Sequence, residues 1–202
     1  GVGDNSAIDI ASGGYIQRAS TAADVMVITV AGAVNTSSNS TATVGGGLNA
    51  IATENRSFAK VGAQTRISAS GDVEIGADNN MSLLLVSASV SAAASGVAVG
   101  GTIGVIVHQS EASVQIASGT ATKRTVIQSG TGSVSIAANN RELIIDIIAS
   151  LSGSTQGTAV AGVLGVLITL SQSKIAVGDY VSILAAKSIG LTTGSDSTPS
   201  GS

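Results

Sequence analysis

The chain has 202 residues and a formal net charge of −3, with 10% charged side chains against about 25% in typical globular domains. Lys123-Arg124 is its one adjacent basic pair, so the clustered positive charge that binds phosphate is missing and nucleic acid is excluded as a partner. Without cysteine there are no disulfides, thiolates or Cys-based metal sites, and Tyr15, Phe58 and Tyr180 are too few aromatics to line a sugar-stacking groove.

In chain order the first recognisable element is Ile8-Asp9-Ile10-Ala11. This apolar-x-apolar signature returns at Val73-Glu74-Ile75-Gly76, Val134-Ser135-Ile136-Ala137 and Ile189-Gly190-Leu191, at spacings of 65, 61 and 55. The stretch from Asp24 to Leu48 aligns with Asn79 to Ile103 at an offset of 55. Gly71–Asn79 aligns with Gly132–Asn140 at an offset of 61, which also carries Val99–Val105 onto Val160–Val166 and Val114–Ile116 onto Ile175–Val177. Such self-similarity indicates a stacked, quasi-one-dimensional architecture, and unequal spacing places insertions in loops. Residues 1–192 read as a stretch of a longer solenoid array, and the Ser/Gly-rich 193–202 reads as a flexible tail or linker. Gly1-Val2-Gly3-Asp4 lacks the features of a secretory signal, so a secreted parent is expected to carry its signal outside this sequence.

Within each unit the residues form alternating runs. Val73, Ile75 and Ala77 are followed by Leu83 and Leu85, then Val97 and Val99, then Ile103, Val105 and Val107, then Ala112, Val114 and Ile116. Period-two alternation of mostly β-branched residues is the strand signal. The clusters 68–72 and 77–80 supply turn residues, and Gly100-Gly101 is expected at a corner or bulge. This gives about five short strands per unit. With about 20 residues per coil, a unit is three coils and the whole is nine or ten, a rod of roughly 45 Å; two longer coils per unit is the alternative. Val105 and Val166 are expected in the interior, where a charge would unfold the coil. Small Ala, Val and Gly side chains suit a narrow space between closely facing sheets. Met81–Val107 is uncharged and long enough for a membrane helix, with a Gly100-x-x-x-Gly104 pattern. Yet it is rich in Ser, Ala and Gly, lacks flanking aromatics, and is repeated with Asp146 inside, which favours an interior strand pair.

Little in the sequence carries chemistry. His108 is the lone histidine; Glu111 lies nearby, but Thr169 replaces the histidine one unit later, so a structural role is expected. The carboxylates Asp72, Glu74, Asp78, Glu111, Glu142, Asp146 and Asp179 form no repeating ladder, since Asp72 aligns with Ser133 and Glu74 with Ser135. The glycine-rich calcium nonapeptide of some solenoids is absent. Asp146 lies between Ile145 and Ile147, so alternation places it outward; burial beside a partner is the alternative. Asn79 and Asn140 align, with Asp24 as the third copy, and would stack between coils at a turn. Sequons at Asn35, Asn39, Asn55 and Asn80 are expected by chance in so Asn/Ser/Thr-rich a chain, and Val44–Leu48 lacks the Gly-Lys-Ser/Thr of a phosphate loop. No catalytic, cofactor-binding or metal-binding residue is assigned.

The segment Gly71–Asn80, followed by an Ala/Ser/Val run and then Val97–Val105, resembles repeats of very large secreted bacterial adhesins. The similarity is to leukotoxin-type filamentous adhesins and, more loosely, to filamentous haemagglutinins. The resemblance implies a right-handed parallel β-helix (an all-β solenoid of about three imperfect repeats of 55–65 residues), exported to the bacterial cell surface or released. The functional expectation is a structural or adhesive fibre segment without catalysis. Its partners would be neighbouring repeats, a surface receptor or glycan, and other copies joined end to end at open strand edges. The alternatives are a carbohydrate-binding or carbohydrate-cleaving β-helix, or a membrane-inserting toxin segment.

Overall fold

The computed structural model describes residues 1–39 and 41–201, with the backbone alone for 197–201. The chain winds through a short strand and then two very long ones, again and again. The short strands are β1 (Ala7–Ile10), β4 (Arg66–Ala69), β7 (Thr125–Ser129) and β10 (Val181–Leu184). The first long strands are β2 (Tyr15–Asn35), β5 (Val73–Ala93), β8 (Val134–Ser154) and β11 (Ile189–Gly201); the second are β3 (Ala42–Val61), β6 (Gly96–Ile116) and β9 (Gly157–Val177). Each class pairs only with itself, giving parallel sheets β1-β4-β7-β10, β2-β5-β8-β11 and β3-β6-β9. The expected all-β parallel solenoid is the architecture found, and β11 carries its pairing through Gly201, into the segment read as a tail.

The coil itself is larger than the sequence suggested. One repeat is one rung, not two or three coils, because residues 73–93 and 96–116 are two unbroken strands of 21 residues each. The cluster Ala77–Asn80 lies mid-strand in β5, and Gly100-Gly101 lies mid-strand in β6. At roughly 3.3 Å per residue such strands run about 70 Å, while successive rungs are about 4.8 Å apart. The result is a slab much wider than it is tall, in place of the expected rod. The two long sheets face each other and the short sheet closes one end, here termed proximal; the links that follow Asn35, Ala93 and Ser154 close the distal end.

Register explains the repeat offsets. β5 pairs with β8 at Val73↔Val134, and β6 with β9 at Val99↔Val160, both the offset of 61. β3 pairs with β6 at Val44↔Val99, the offset of 55. β2 pairs with β5 at Tyr15↔Val73, however, so Asp24 lies beside Ser82 rather than Asn79. Ile8 pairs with Ile67 in the short sheet and is no counterpart of Val73, while Ile189 is the counterpart of Val134 as expected. Asn5, Gln64 and Tyr180 occupy equivalent corners before the short strand with φ of 57°, 55° and 53°. That left-handed turn redirects the chain at three rungs with non-glycine residues.

The proximal interior is filled by Val61, Ile67, Val73, Ile75, Val114, Ile116, Ile127, Val134 and Ile136, all buried. Farther along, Met81, Leu83, Leu85, Ile106 and Ile144 form a second apolar cluster. Beyond it the interior narrows. A Cβ added at Gly100 would stand 2.5 Å from Ser152 Oγ, and one at Gly104 would stand 2.8 Å from Ile148 Cδ1. Glycine here permits close approach of the facing sheet, not a corner. With β6 continuous to Val114 and Ile116, the residues of matching parity point inward, and Val97, Val99, Ile103, Val105 and Val107 point outward. The expectation of an interior Val105 and Val166 is therefore reversed.

Ile106 is 0% exposed whereas Val107 is 42% exposed. Ile106→Ala should lose about 2–4 kcal/mol in urea unfolding through the lost transfer energy and the cavity left, and Val107→Ala should stay within about 0.5–1 kcal/mol. Equal losses would contradict this parity.

Candidate functional site

The densest cluster of polar side chains lies between the two apolar clusters, inside the slab. Asn79 on β5, Ser110 on β6, Asn140 on β8 and Ser171 on β9 meet there because each has interior parity on its strand and adjacent rungs are in register. Asn79 Nδ2 donates to Ser110 Oγ at 2.7 Å and to the Asn55 carbonyl at 3.2 Å. Ser110 Oγ donates to Asn140 Oδ1 at 2.6 Å, Asn140 Nδ2 donates to Ser171 Oγ at 2.7 Å, and Ser171 Oγ lies 2.7 Å from Ser195 Oγ. This zipper crosses between the facing sheets and climbs from rung to rung. Asn79 and Asn140 do stack as expected, but mid-strand and bridged by a serine; Thr21, not Asp24, is the third copy.

His108 and Glu142 extend the cluster. His108 is 1% and Glu142 3% exposed. His108 Nδ1 lies 2.7 Å from Thr53 Oγ1, with donor and acceptor set by the ring tautomer. Its Nε2 lies 3.6 Å from Glu142 Oε1, which also accepts from Asn140 Nδ2 at 3.1 Å. A hydroxyl, an imidazole and a carboxylate in series are the residue types of an acid–base relay. Here both His108 and Glu142 are sealed within the slab, and 3.6 Å is a contact longer than a hydrogen bond. Buried polar groups are costly unless hydrogen-bonded, so the network around them fixes which residues face across the interior.

Asp146 also points inward, in the ladder with Leu85, against the expected outward orientation. Its Oδ1 is buried without a hydrogen-bond partner, so the burial is not accompanied by pairing. Desolvation raises its pKa above the ordinary carboxylate value.

The remaining carboxylates serve the surface and corners. Glu74 pairs with Arg18, Glu111 lies 3.7 Å from Arg56, Asp78 accepts from Asn139 at 2.9 Å, and Asp72 accepts from the Ser133 amide at 2.7 Å. Exposed ion pairs of this kind contribute little to stability. Among the described residues no group of three or more His, Cys, Asp or Glu side chains is placed to hold a metal ion. Sequence reasoning missed the burial of Glu142, although its distance from Val134 is even and both lie on one strand.

No protein-family model, curated protein or solved structure matches this chain.

Asn140→Ala should cost about 1–3 kcal/mol in chemical unfolding, because buried Ser110 loses its acceptor, half-buried Ser171 loses a donor and Glu142 loses the Asn140 amide. Asn139→Ala on the outer face should cost clearly less. Asp146 binds its proton more tightly when folded, so stability falls as pH rises from the ordinary Asp value through the raised native one. Asp146→Asn should therefore be more stable than the native chain at neutral pH, and the gap should close at about pH 3, where carboxylates are protonated in both states.

Proposed function

We propose that this chain is a structural segment of an extracellular fibre on a bacterial surface, built to extend by stacking and to act as stalk or adhesion surface without catalysis. The observation that carries this reading is the in-register pairing of every long strand with its counterpart one rung away. Such stacking has no internal limit: strands at either end of the stack present unpaired edges that take a further rung by the same backbone bonds. The resemblance of 71–80 and 97–105 to repeats of filamentous adhesins points the same way. The partners of first rank are thus neighbouring repeats, or further copies added end to end; a receptor or glycan would meet the outer faces.

A tandem duplication of the chain, studied by small-angle scattering beside the single copy, tests the reading. The long cross-section should be unchanged while the stacking dimension grows by three to four rungs, about 14–19 Å. Two independent particles joined by a flexible link would overturn it.

A further inference from the structure

The distal half of the slab is inside out. Its interior is lined by Ser87, Ser89, Ser91, Thr102, Ser150 and Ser152. All but Ser87, whose hydroxyl is buried without a partner, bond to each other or to the facing backbone: Thr102 Oγ1 lies 2.7 Å from Ser89 Oγ, Ser89 Oγ lies 3.0 Å from Ser150 Oγ, and Thr102 donates to the Ala149 carbonyl at 2.9 Å. Its outer faces are apolar on both broad sides. One side carries the ladders Val44/Val99/Val160, Leu48/Ile103/Leu164 and Ala52/Val107/Ile168. The other carries Met26/Leu84/Ile145 and Ile28/Val86/Ile147, with Val90 beside Leu151. Missing neighbours do not account for the exposure, since in the central rung, paired on both sides, Val90, Ile103 and Val107 remain 41–42% exposed.

We infer that this band is built to sit in the hydrocarbon of a lipid bilayer. Contiguous apolar surface of this kind on a protein marks an interaction site, and several features choose lipid over a second copy. The band lies at the same level on both broad faces, as immersion requires, whereas docking of two sheets covers one face of each. From Met26 to Val34 is nine residues and from Val97 to Val107 eleven, about 30–36 Å of strand at roughly 3.3 Å per residue, against a hydrocarbon core of about 30 Å. Polar residues bound the band at both margins. Proximally stand Glu54, Arg56, Glu111, Asn80 and Arg141, and distally the links with Asn35, Ser37, Ser95 and Gln156. The sequence between Asp24 and Glu54, and between Asp78 and Glu111, holds no Asp, Glu, Lys or Arg; between Glu142 and Lys174 the one exception is Asp146, which faces inward. The distal margin thus crosses an apolar phase without carrying a charge with it. Within the sheets every interior strand has its backbone paired on both sides, the condition for strands in lipid, and edge strands meet it when a further rung covers them. The inference rests on the surface band itself and draws on the fibre reading only for the covering of the edge strands.

The chain has no tryptophan, so a single introduced one reports its own depth. Ile103→Trp and Gln115→Trp, both outward on β6, would be mixed with phosphatidylcholine vesicles brominated at mid-chain, whose zwitterionic surface removes net electrostatic attraction. The expected result is flotation of both variants with the vesicles, with bromine quenching several-fold stronger at position 103 than at 115. Native circular dichroism of each variant establishes that it is folded. Val99→Lys, Ile103→Lys and Val107→Lys combined should abolish flotation, and Asn80→Lys with Ser135→Lys should leave it intact. Protein that stays unfloated while folded overturns the inference. So does fluorescence of the Ile103→Trp variant that bromine leaves unquenched, or that shifts to the blue with protein concentration alone, which would assign the band to a second copy.

Discussion

The structure depends on one constraint, the in-register parallel pairing of long strands between rungs. Once Val73 lies beside Val134, every later residue of β5 lies beside its counterpart of β8 through Ala93↔Ser154, and all side chains of one parity share a face. A slip of one residue would exchange the interior and exterior sets along the whole length of the strand. The Asn79–Ser110–Asn140–Ser171 zipper opposes such a slip, because its hydrogen bonds close only when both facing sheets hold their registers together. A polar network buried between two apolar clusters acts here as a register pin, and the hydrogen bonds its members make to one another offset part of its desolvation cost.

The same constraint decides which parts of the fold were legible in the sequence. Repeat offsets of 61 and 55 translate directly into the pairings β5–β8, β6–β9 and β3–β6, because in a stacked fold sequence period and rung are the same thing. Coil length was not legible, since Ala77–Asn80 carries turn residues that a ladder of Asn79 over Asn140 holds mid-strand. Placing a turn there resets the count of alternation. Asp146 and Val105 were then placed by local alternation, and both came out on the wrong face. Counting parity without a break from Val134 to Asp146, or from Ile116 back to Val97, places each correctly. The buried His108–Glu142 contact was hidden for a different reason, as it joins facing sheets and no offset within a sheet reveals it.

Composition and geometry meet in the narrowing of the slab. The proximal end is held apart by the short sheet and has room for Ile67, Ile75, Ile127 and Ile136. Toward the distal links the two long sheets close on each other, and glycine at 100 and 104 with serine at 150 and 152 is what fits. A ring across the distal gap would force the sheets apart, and among the described residues no aromatic stands there.

Narrowing also moves the source of stability along the strand. At the proximal end, burial of large apolar side chains drives folding in the ordinary way. At the distal end the interior groups are small or hydroxyl-bearing, so apolar burial inside contributes little and cohesion rests on the backbone ladders and side-chain hydrogen bonds. Hydrogen bonds made in exchange for water contribute modestly to net stability, while the outer valines, leucines and isoleucines are only partly covered by their ladder neighbours, with Ile103 and Val107 still 42% exposed, and gain only part of their burial energy in water. The surface they still expose leaves water only when something apolar covers it. The proximal wedge therefore sets the fold, and the distal band owes its remaining stabilisation to its surroundings.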